Sequence, residues 1–328
     1  MRVIALEEAF TTPLAASLMP PLTAPRKAQL ADTQGRLKHD VHAALKDMGA
    51  GRIAEMDAAG VDLQVLSLTA PGPQAYERAQ AIAVAHEAND HAQAAVETHP
   101  DRFAAFAMLP TADVAEAVKE LERRVKQGFL GAMINGHTRG EFLDQKKYWP
   151  LLECAQALDV PVYIHPTFPP EAVMKAYFEG HEELARAPWG FAIDTGVHFL
   201  RMAYGGVFDQ FPKLKIILGH LGEGIPFVMD RIHHHTWPGM GRRGLKRTMR
   251  DYILDHMIVT TSGNWSIPSL LCTVQTLGVD NVLFSIDWPY ESNSDGMDYL
   301  AKIPLCPADV DKIAHGNAER VLKIQPKS

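Results

Sequence analysis

Short apolar runs rich in β-branched residues alternate along the chain with longer segments whose apolar positions recur at helical spacing. Eight of the short runs predict strands, at residues 3–8, 63–68, 103–109, 131–135, 161–165, 215–220, 257–261 and 281–287. Helical patterns lie between them at 41–59, 78–98, 112–126, 148–158 and 265–277. This alternation is typical of a parallel sheet made from βα units. Eight repeats favour a closed (β/α)8 TIM-type barrel of the α/β class over an open sheet.

Three longer segments interrupt this rhythm, at residues 11–40, 166–188 and 234–250. In a barrel the first two are βα loops at the catalytic rim, where lids and substrate contacts lie. Surface insertions or subunit contacts are the alternative for both. No internal repeat, low-complexity tract or linker divides the chain. We therefore predict one domain over residues 1–328, with a lid or insertion at 11–40.

Composition excludes some classes of protein but does not identify a function. The chain has 328 residues, 47% of them hydrophobic, and its formal net charge of −7 gives no basic surface for nucleic acid. No stretch approaches the roughly 18 apolar residues of a membrane span. Two glutamates near the amino terminus favour a strand over a signal peptide. Three cysteines without a CxxC pair indicate a reducing compartment, so we expect a cytoplasmic protein.

Ionisable residues gather at the C-terminal ends of the predicted strands. Glu7, His165, His220 and Asp287 lie at the ends of strands one, five, six and eight. In a barrel these ends converge on one rim. Carboxylates and imidazoles are costly to bury without partners, and a divalent cation offsets that cost. Because their oxygen and nitrogen donors suit Zn²⁺ or Mn²⁺, the sequence predicts a metal site at the rim.

Alternation along strand one separates its two neighbouring glutamates. If Glu7 faces the barrel interior, Glu8 points outward to the helices, where we expect a structural pairing. Ala9 then shares the inward face with Glu7. On strand five the same alternation puts Tyr163 on one face with His165.

Five motifs resemble those of a known family. They are IALEEAF, PVYIHP, IILGHLGE, VTTSGN and LFSIDWPYE, and their order and spacing resemble the amidohydrolase superfamily. More narrowly, they look like its branch of non-oxidative aromatic acid decarboxylases, which act on γ-resorcylate, 2,3-dihydroxybenzoate and 5-carboxyvanillate. The resemblance runs from the first strand to the last helix.

The resemblance implies roles for six residues at or near the strand ends. These roles are metal ligation by Glu7, His165 and Asp287, metal ligation or proton relay by His220, support of His220 by Glu223, and substrate binding by Arg231. A salt bridge along its helix is the alternative for Arg231.

One departure from the wider superfamily is informative. Hydrolytic members usually carry His-x-His on strand one, whereas the equivalent pair here is Glu7 and Ala9. Strand four ends in Asn135, so no lysine is present there to bridge a second metal. We expect Asn135 to contact the substrate instead. These differences suggest one metal ion with open positions. Such an ion can chelate a phenolate and an adjacent carboxylate together.

The implied function is metal-dependent, non-oxidative decarboxylation of an ortho-hydroxylated benzoate of the 2,6-dihydroxybenzoate, 2,3-dihydroxybenzoate or 5-carboxyvanillate type. The cofactor is one divalent ion, Mn²⁺ or Zn²⁺, and the partner is a small aromatic carboxylic acid. Asp287 in its neutral form protonates the ring carbon, while His220 with Glu223 accepts the phenolic proton. Family members form homodimers or homotetramers, and either is expected here.

Two other functions remain as alternatives. One is a metal-dependent hydrolase or hydratase that acts on a lactone or dicarboxylic acid, and the other is a non-catalytic sensor on the same scaffold. The loops INGHTRGEFLD and HPTFPPEAV look closer to the 5-carboxyvanillate type than to the γ-resorcylate type. Within segment 11–40, Arg26 and Arg36 are candidates to bind a second carboxylate or a ring substituent.

Other polar residues have structural interpretations. We expect His198 to hydrogen-bond within the fold or at a subunit contact. Three consecutive histidines at 233–235 lie on one helix, where adjacent positions face different directions and do not chelate together. Asn264 and Trp265 either line the site or begin a helix.

Overall fold

The computed structural model describes residues 1–19, 35, 37 and 39–325, so Arg26, Arg36 and most of the predicted lid at 11–40 lie outside the described residues. Every predicted strand is present, although most are shorter than predicted and the third is divided at Phe106. The strands are β1 (Ile4–Phe10), β2 (Leu63–Leu68), β3 (Phe103–Ala105), β4 (Ala107–Met108), β5 (Ala132–Asn135), β6 (Val162–His165), β7 (Ile216–Leu218), β8 (Met257–Thr260) and β9 (Val282–Leu283).

The strands form a closed ring. One parallel sheet has the order β1-β2-β3, and a second runs from β4 to β9 in chain order. The amide of Phe106, between β3 and β4, donates to the carbonyl of Leu66 on β2 at 3.1 Å. This hydrogen bond extends the pairing with β2 up to the start of β4, and so joins the two sheets. At the other edge, a parallel bridge joins Leu6 on β1 to Ser285, just after β9. The predicted eight-stranded α/β barrel is confirmed.

Helices lie between the strands along the chain. The helix predicted at 78–98 has those bounds, but the single helix predicted at 41–59 is wrong. The side chain of Asp47 accepts hydrogen bonds from the amides of Gly49 and Arg52, which ends one helix and starts another. The α-helices are α1 (Pro13–Leu18), α2 (Val41–Ala44), α3 (Ala50–Ala59), α4 (Arg78–Thr98), α5 (Val114–Lys126), α6 (Trp149–Ala157), α7 (Glu171–Phe178), α8 (Gly190–Tyr204), α9 (Val207–Gln210), α10 (Ile225–Met240), α11 (Met249–His256), α12 (Ile267–Leu277), α13 (Asn293–Leu300), α14 (Pro307–Asp311) and α15 (Asn317–Leu322).

Burial of the strands positions the site. All residues of β1 and β2 are buried, as expected for parallel strands that have helices on one face and the barrel interior on the other. The packed interior therefore holds the strand ends in fixed positions around one rim. Among the described residues, none of the helices combines the length and apolar character that crossing a bilayer requires.

Candidate metal and active site

Three of the predicted ligands come together at the carboxyl rim of the barrel. Glu7 lies on β1, His165 ends β6 and Asp287 follows β9. One ligand atom of each residue lies within 4.8 Å of the other two, and Nε2 of His165 is 3.2 Å from Oε1 of Glu7. Glu7 is fully buried, whereas His165 and Asp287 are partly exposed. The group is therefore open to solvent on one side.

Hydrogen bonds leave two lone pairs of this group facing each other. The hydroxyls of Tyr163 and Ser262 donate to Oε2 of Glu7, while Oε1 is buried with no hydrogen-bond partner among the described residues. Nδ1 of His165 lies 2.7 Å from the carbonyl oxygen of Pro166 and donates to it, so that in the neutral ring Nε2 is an acceptor. Two acceptors this close repel each other unless a cation lies near both. The donor set therefore fits a metal ion.

His220 lies beside the three-residue group. Its Nε2 is 3.9 Å from Oε1 of Glu7 and 4.0 Å from Oδ2 of Asp287, while its Nδ1 is 2.7 Å from Oε1 of Glu223. Burial lowers the pKa of His220, but the carboxylates of Glu223 and Glu7 outweigh burial and raise this pKa well above its ordinary value. The ring is thus held in an anionic environment and is placed either to bind a cation or to hold a proton.

Asp287 has an environment that favours its neutral form. Desolvation raises the pKa of Asp287 to about 6, against the opposing effect of the nearby His220 ring, and the charge of Glu7 adds to the increase. The carboxylate of Glu8 accepts hydrogen bonds at 3.0 Å from the amides of Ile286 and Trp288, the two residues that flank Asp287. The carboxyl group of Asp287 can therefore hold a proton closer to neutral pH than an ordinary aspartate can.

Backbone strain is concentrated at the same rim. Glu7 (φ 65°), His220 (φ 52°), Glu223 (φ 55°) and Asp287 (φ 77°) all adopt the left-handed conformation that non-glycine residues rarely show. On β1 the register with β2 shifts just before Glu8, so Glu7 lies at an irregularity of the strand. Conformations of this kind cost on the order of 1–3 kcal/mol each and cluster at functional sites.

A glycine gives the carboxylate of Glu7 the space that it occupies. Gly219 follows β7, and a Cβ atom at this position would lie 2.9 Å from Oε2 and 3.2 Å from Oε1 of Glu7. Those separations are too short for a side chain to fit without displacing the carboxylate. A residue other than glycine there would therefore disturb the group.

The two predicted substrate contacts have different surroundings. Asn135 is fully buried at the end of β5, where Nδ2 donates to the carbonyl of Leu68 at 3.3 Å and Oδ1 has no partner among the described residues. Arg231 is exposed on α10, and no ion pair joins it to another described residue. The salt bridge considered for Arg231 is therefore not formed within the described part of the chain.

Other predicted residues have structural contacts. His198 is buried, and its Nε2 accepts from the amide of Leu143 at 3.0 Å. Asn264 donates from Nδ2 to the carbonyl of His220 at 3.3 Å and thus adjoins the site. The histidines at 233–235 belong to α10 and are absent from the metal-binding group.

Sequence reasoning missed the residues that orient Glu7. Tyr163 was expected on the same face as His165, yet no role was assigned to its hydroxyl. Ser262 lies within the VTTSGN motif, directly after β8. A hydroxyl two residues before a strand-end ligand, on the same strand face, was the available signal for Tyr163.

Comparison with known proteins identifies the family. An amidohydrolase family model matches residues 30–324, and the chain belongs to this family. It is 39% identical over 295 residues to the γ-resorcylate decarboxylase of Polaromonas sp. (strain JS666 / ATCC BAA-500), an alignment that covers 87% of this chain and 90% of the relative. The predicted membership of the superfamily and resemblance to its decarboxylase branch are confirmed.

Solved structures of aromatic acid decarboxylases are also similar to this chain. A dihydroxybenzoic acid decarboxylase from Polaromonas sp. JS666, with bound manganese and the inhibitor 2-nitroresorcinol, has a TM-score of 0.88 and 36% identity, covering 99% of this chain and 98% of that one. The 5-carboxyvanillate decarboxylase from Sphingomonas paucimobilis has a TM-score of 0.86 and 30% identity, covering 99% of each. Overall identity is therefore higher to the dihydroxybenzoic acid decarboxylase than to the 5-carboxyvanillate decarboxylase.

Proposed function

We propose that this enzyme removes carbon dioxide from a benzoate with a hydroxyl group ortho to its carboxylate, and that 2,6-dihydroxybenzoate is the first substrate to test. The observation that carries the proposal is the pair of bare acceptors, Oε1 of Glu7 and Nε2 of His165, with Asp287 beside them. This donor set suits a single Mn²⁺ or Zn²⁺ ion. The similarity of this chain to decarboxylases of hydroxylated benzoates supports the reaction.

In this proposal Glu7, His165 and Asp287 hold the metal ion, with His220 as a further ligand or a proton-relay residue. When bound, the ion supplies a Lewis acid and a template for the hydroxyl and carboxylate oxygens of the substrate. Asp287 in its neutral form gives its proton to the ring carbon that bears the carboxylate. The carbon–carboxylate bond then breaks, its electron pair restores the aromatic ring and carbon dioxide leaves. His220, supported by Glu223, accepts the phenolic proton.

Substrate binding is proposed for Arg231 and Asn135. The guanidinium of Arg231 is exposed and has no ion-pair partner within the described residues, so it remains available for a carboxylate. Oδ1 of Asn135 is buried without a partner and can accept a hydrogen bond from a substrate hydroxyl. An Arg231→Ala variant is expected to raise KM about tenfold or more. The control is Arg320→Ala, which removes an exposed arginine that donates to the carbonyl of Asp280.

A homodimer or homotetramer is the proposed assembly, in a reducing compartment such as the cytoplasm. Phe227 and Trp237 are 83% and 57% exposed on α10, the helix of Arg231, and large exposed apolar side chains favour a subunit contact. The cysteines form no disulfide, which fits the compartment. Light scattering of the purified protein tests the assembly, and a monomer at micromolar concentration would contradict it.

The decisive experiment is a substrate screen with metal-free, Mn²⁺-loaded and Zn²⁺-loaded protein. 2,6-Dihydroxybenzoate, 2,3-dihydroxybenzoate and 5-carboxyvanillate are tested for carbon dioxide release and for the change in ring absorbance. We expect turnover only with metal, and fastest on 2,6-dihydroxybenzoate. Full turnover after complete metal removal would overturn the mechanism. Ring opening of a lactone without release of carbon dioxide would instead support the hydrolase alternative.

A further inference from the structure

We propose that Glu8 is a positioning residue that holds Asp287 in its working conformation through the two peptide amides that flank it. The inference extends the proposed function, since Asp287 is there both a metal ligand and the proton donor. Glu8 itself touches neither the substrate nor the metal in this scheme.

The contact between Glu8 and the Asp287 segment uses both carboxylate oxygens. Oε1 accepts from the amide of Ile286 at 3.0 Å and Oε2 from the amide of Trp288 at 3.0 Å. Oε1 also accepts from the hydroxyl of Ser285 at 3.3 Å. A carboxylate that bridges residues on both sides of Asp287 fixes the orientation of the peptide units at that position.

Asp287 needs such support because its backbone is in an unfavourable conformation. Its φ of 77° lies in the left-handed region, where a side chain with a Cβ is strained. β9 ends at Leu283, so Asp287 lies four residues beyond regular sheet pairing. The fully buried carboxylate of Glu8 supplies the hydrogen bonds that a longer strand would have supplied.

A buried arginine stabilises the charge of Glu8. Arg52 on α3 is fully buried, donates from Nε to Gln64 at 2.7 Å and from Nη1 to the carbonyl of Ala9 at 3.0 Å, and lies over the Trp288 ring at 4.1 Å. The two amides and the charge of Arg52 favour the carboxylate form of Glu8 and oppose the effect of its burial. Because both oxygens accept amide hydrogens, the geometry fits the ionised form.

The test compares Glu8→Gln with a matched control, Glu120→Gln. Glutamine keeps the size of the side chain, but its NH2 group would lie against one of the two peptide N–H groups. Because both groups are donors, that hydrogen bond is lost. Glu120 on α5 is also a buried carboxylate, and it accepts from Asn89 at 2.6 Å and Arg124 at 2.7 Å. Arg123 donates to it as well, at 2.8 Å, and none of these three partners belongs to the candidate site. Both variants remove a buried negative charge, so both are expected to lower the melting temperature.

Two readouts separate positioning from a purely structural role. They are the Kd of the metal-free protein for Mn²⁺, measured by electron paramagnetic resonance, and kcat and KM with 2,6-dihydroxybenzoate. We expect Glu8→Gln to raise the Kd and to lower kcat by about 10- to 100-fold each, as for other residues that support a metal ligand. We expect Glu120→Gln to change neither by more than about twofold, because its partners lie outside the site.

If Glu8→Gln does not fold, Glu8→Asp carries the test, since its shorter carboxylate reaches only one amide. A Kd and a kcat within twofold of wild type in the folded variant would overturn the inference. Failure of the wild-type protein to release carbon dioxide would overturn the proposed function, while the Mn²⁺ Kd would still test the role of Glu8.

Discussion

Nδ1 of His220 lies 2.7 Å from Oε1 of Glu223. Because the carboxylate accepts, Nδ1 carries a proton, and Nε2 is the ring atom that faces Glu7 and Asp287. The two residues are separated by one turn of backbone in the left-handed conformation, which lets the side chains meet. Glu223 thus fixes both the tautomer and the orientation of His220.

Replacing Glu223 by glutamine is therefore expected to reduce turnover without preventing folding. An amide oxygen can still accept the Nδ1 proton, but it no longer stabilises the positive charge that the proposed proton relay places on His220. We expect kcat to fall about 10- to 100-fold with little change in KM. Steady-state kinetics on 2,6-dihydroxybenzoate provide the measurement, and an unchanged kcat would exclude a proton-relay role for this pair.

Replacing Asp287 by asparagine is expected to abolish turnover while the protein still binds metal, more weakly. Asparagine keeps an oxygen ligand but has no acidic proton to give to the ring carbon. We expect kcat to fall by at least about a hundredfold. Mn²⁺ binding, measured separately, shows whether the loss comes from chemistry or from an empty site. A fully active Asp287→Asn protein would rule out Asp287 as the proton donor.

Replacing Tyr163 by phenylalanine tests how Glu7 is held. The hydroxyl of Tyr163 donates to Oε2 of Glu7, and it also lies 2.9 Å from the hydroxyl of Thr260. Without it, the buried carboxylate loses one donor and turns more freely. We expect the Kd for Mn²⁺ to rise about tenfold. The same Kd in the variant as in wild type would mean that the hydroxyls of Ser262 and Thr260 orient Glu7 without Tyr163.

Much of the site was predictable because a barrel brings its strand ends together. Glu7, His165 and Asp287 are far apart in sequence, and the parallel topology alone places them at one rim. The local geometry was not predictable in the same way. The pairing of β1 with β2 shifts register just before Glu8, and Ala9 packs in a small cluster with Val41, neither of which follows from the strand period.

The role of Glu8 shows the same limit. Its outward direction and structural pairing followed from the strand period, and the charge of Arg52 on α3 fits that expectation. The two amides that donate to Glu8 belong to a segment after β9 that no longer has regular sheet geometry. Sequence periodicity describes regular strands, so it does not predict hydrogen bonds to irregular backbone.

The buried His198 makes stability depend on pH in a predictable direction. Its Nε2 accepts from the amide of Leu143, and its ring packs edge-on against Phe142 with 5.1 Å between the ring centroids. Burial lowers the pKa of His198 to about 3, and nearby His137 and Arg201 add to the effect. In the unfolded chain this pKa is about 6.5. Between these two values the unfolded state binds a proton that the folded state does not.

Stability is therefore unaffected by His198 above pH 6.5 and falls as the pH decreases from 6.5 towards 3. The expected loss is about 1.4 kcal/mol per pH unit, or roughly 2–3 kcal/mol at pH 4.5. His198→Gln keeps an acceptor for the Leu143 amide and does not titrate, so its unfolding free energy should fall less over this range. Urea unfolding of both metal-free proteins between pH 7.5 and 4.5 measures the difference, since all other groups titrate in both. Parallel curves would show that His198 is protonated in the folded protein or is exposed to solvent.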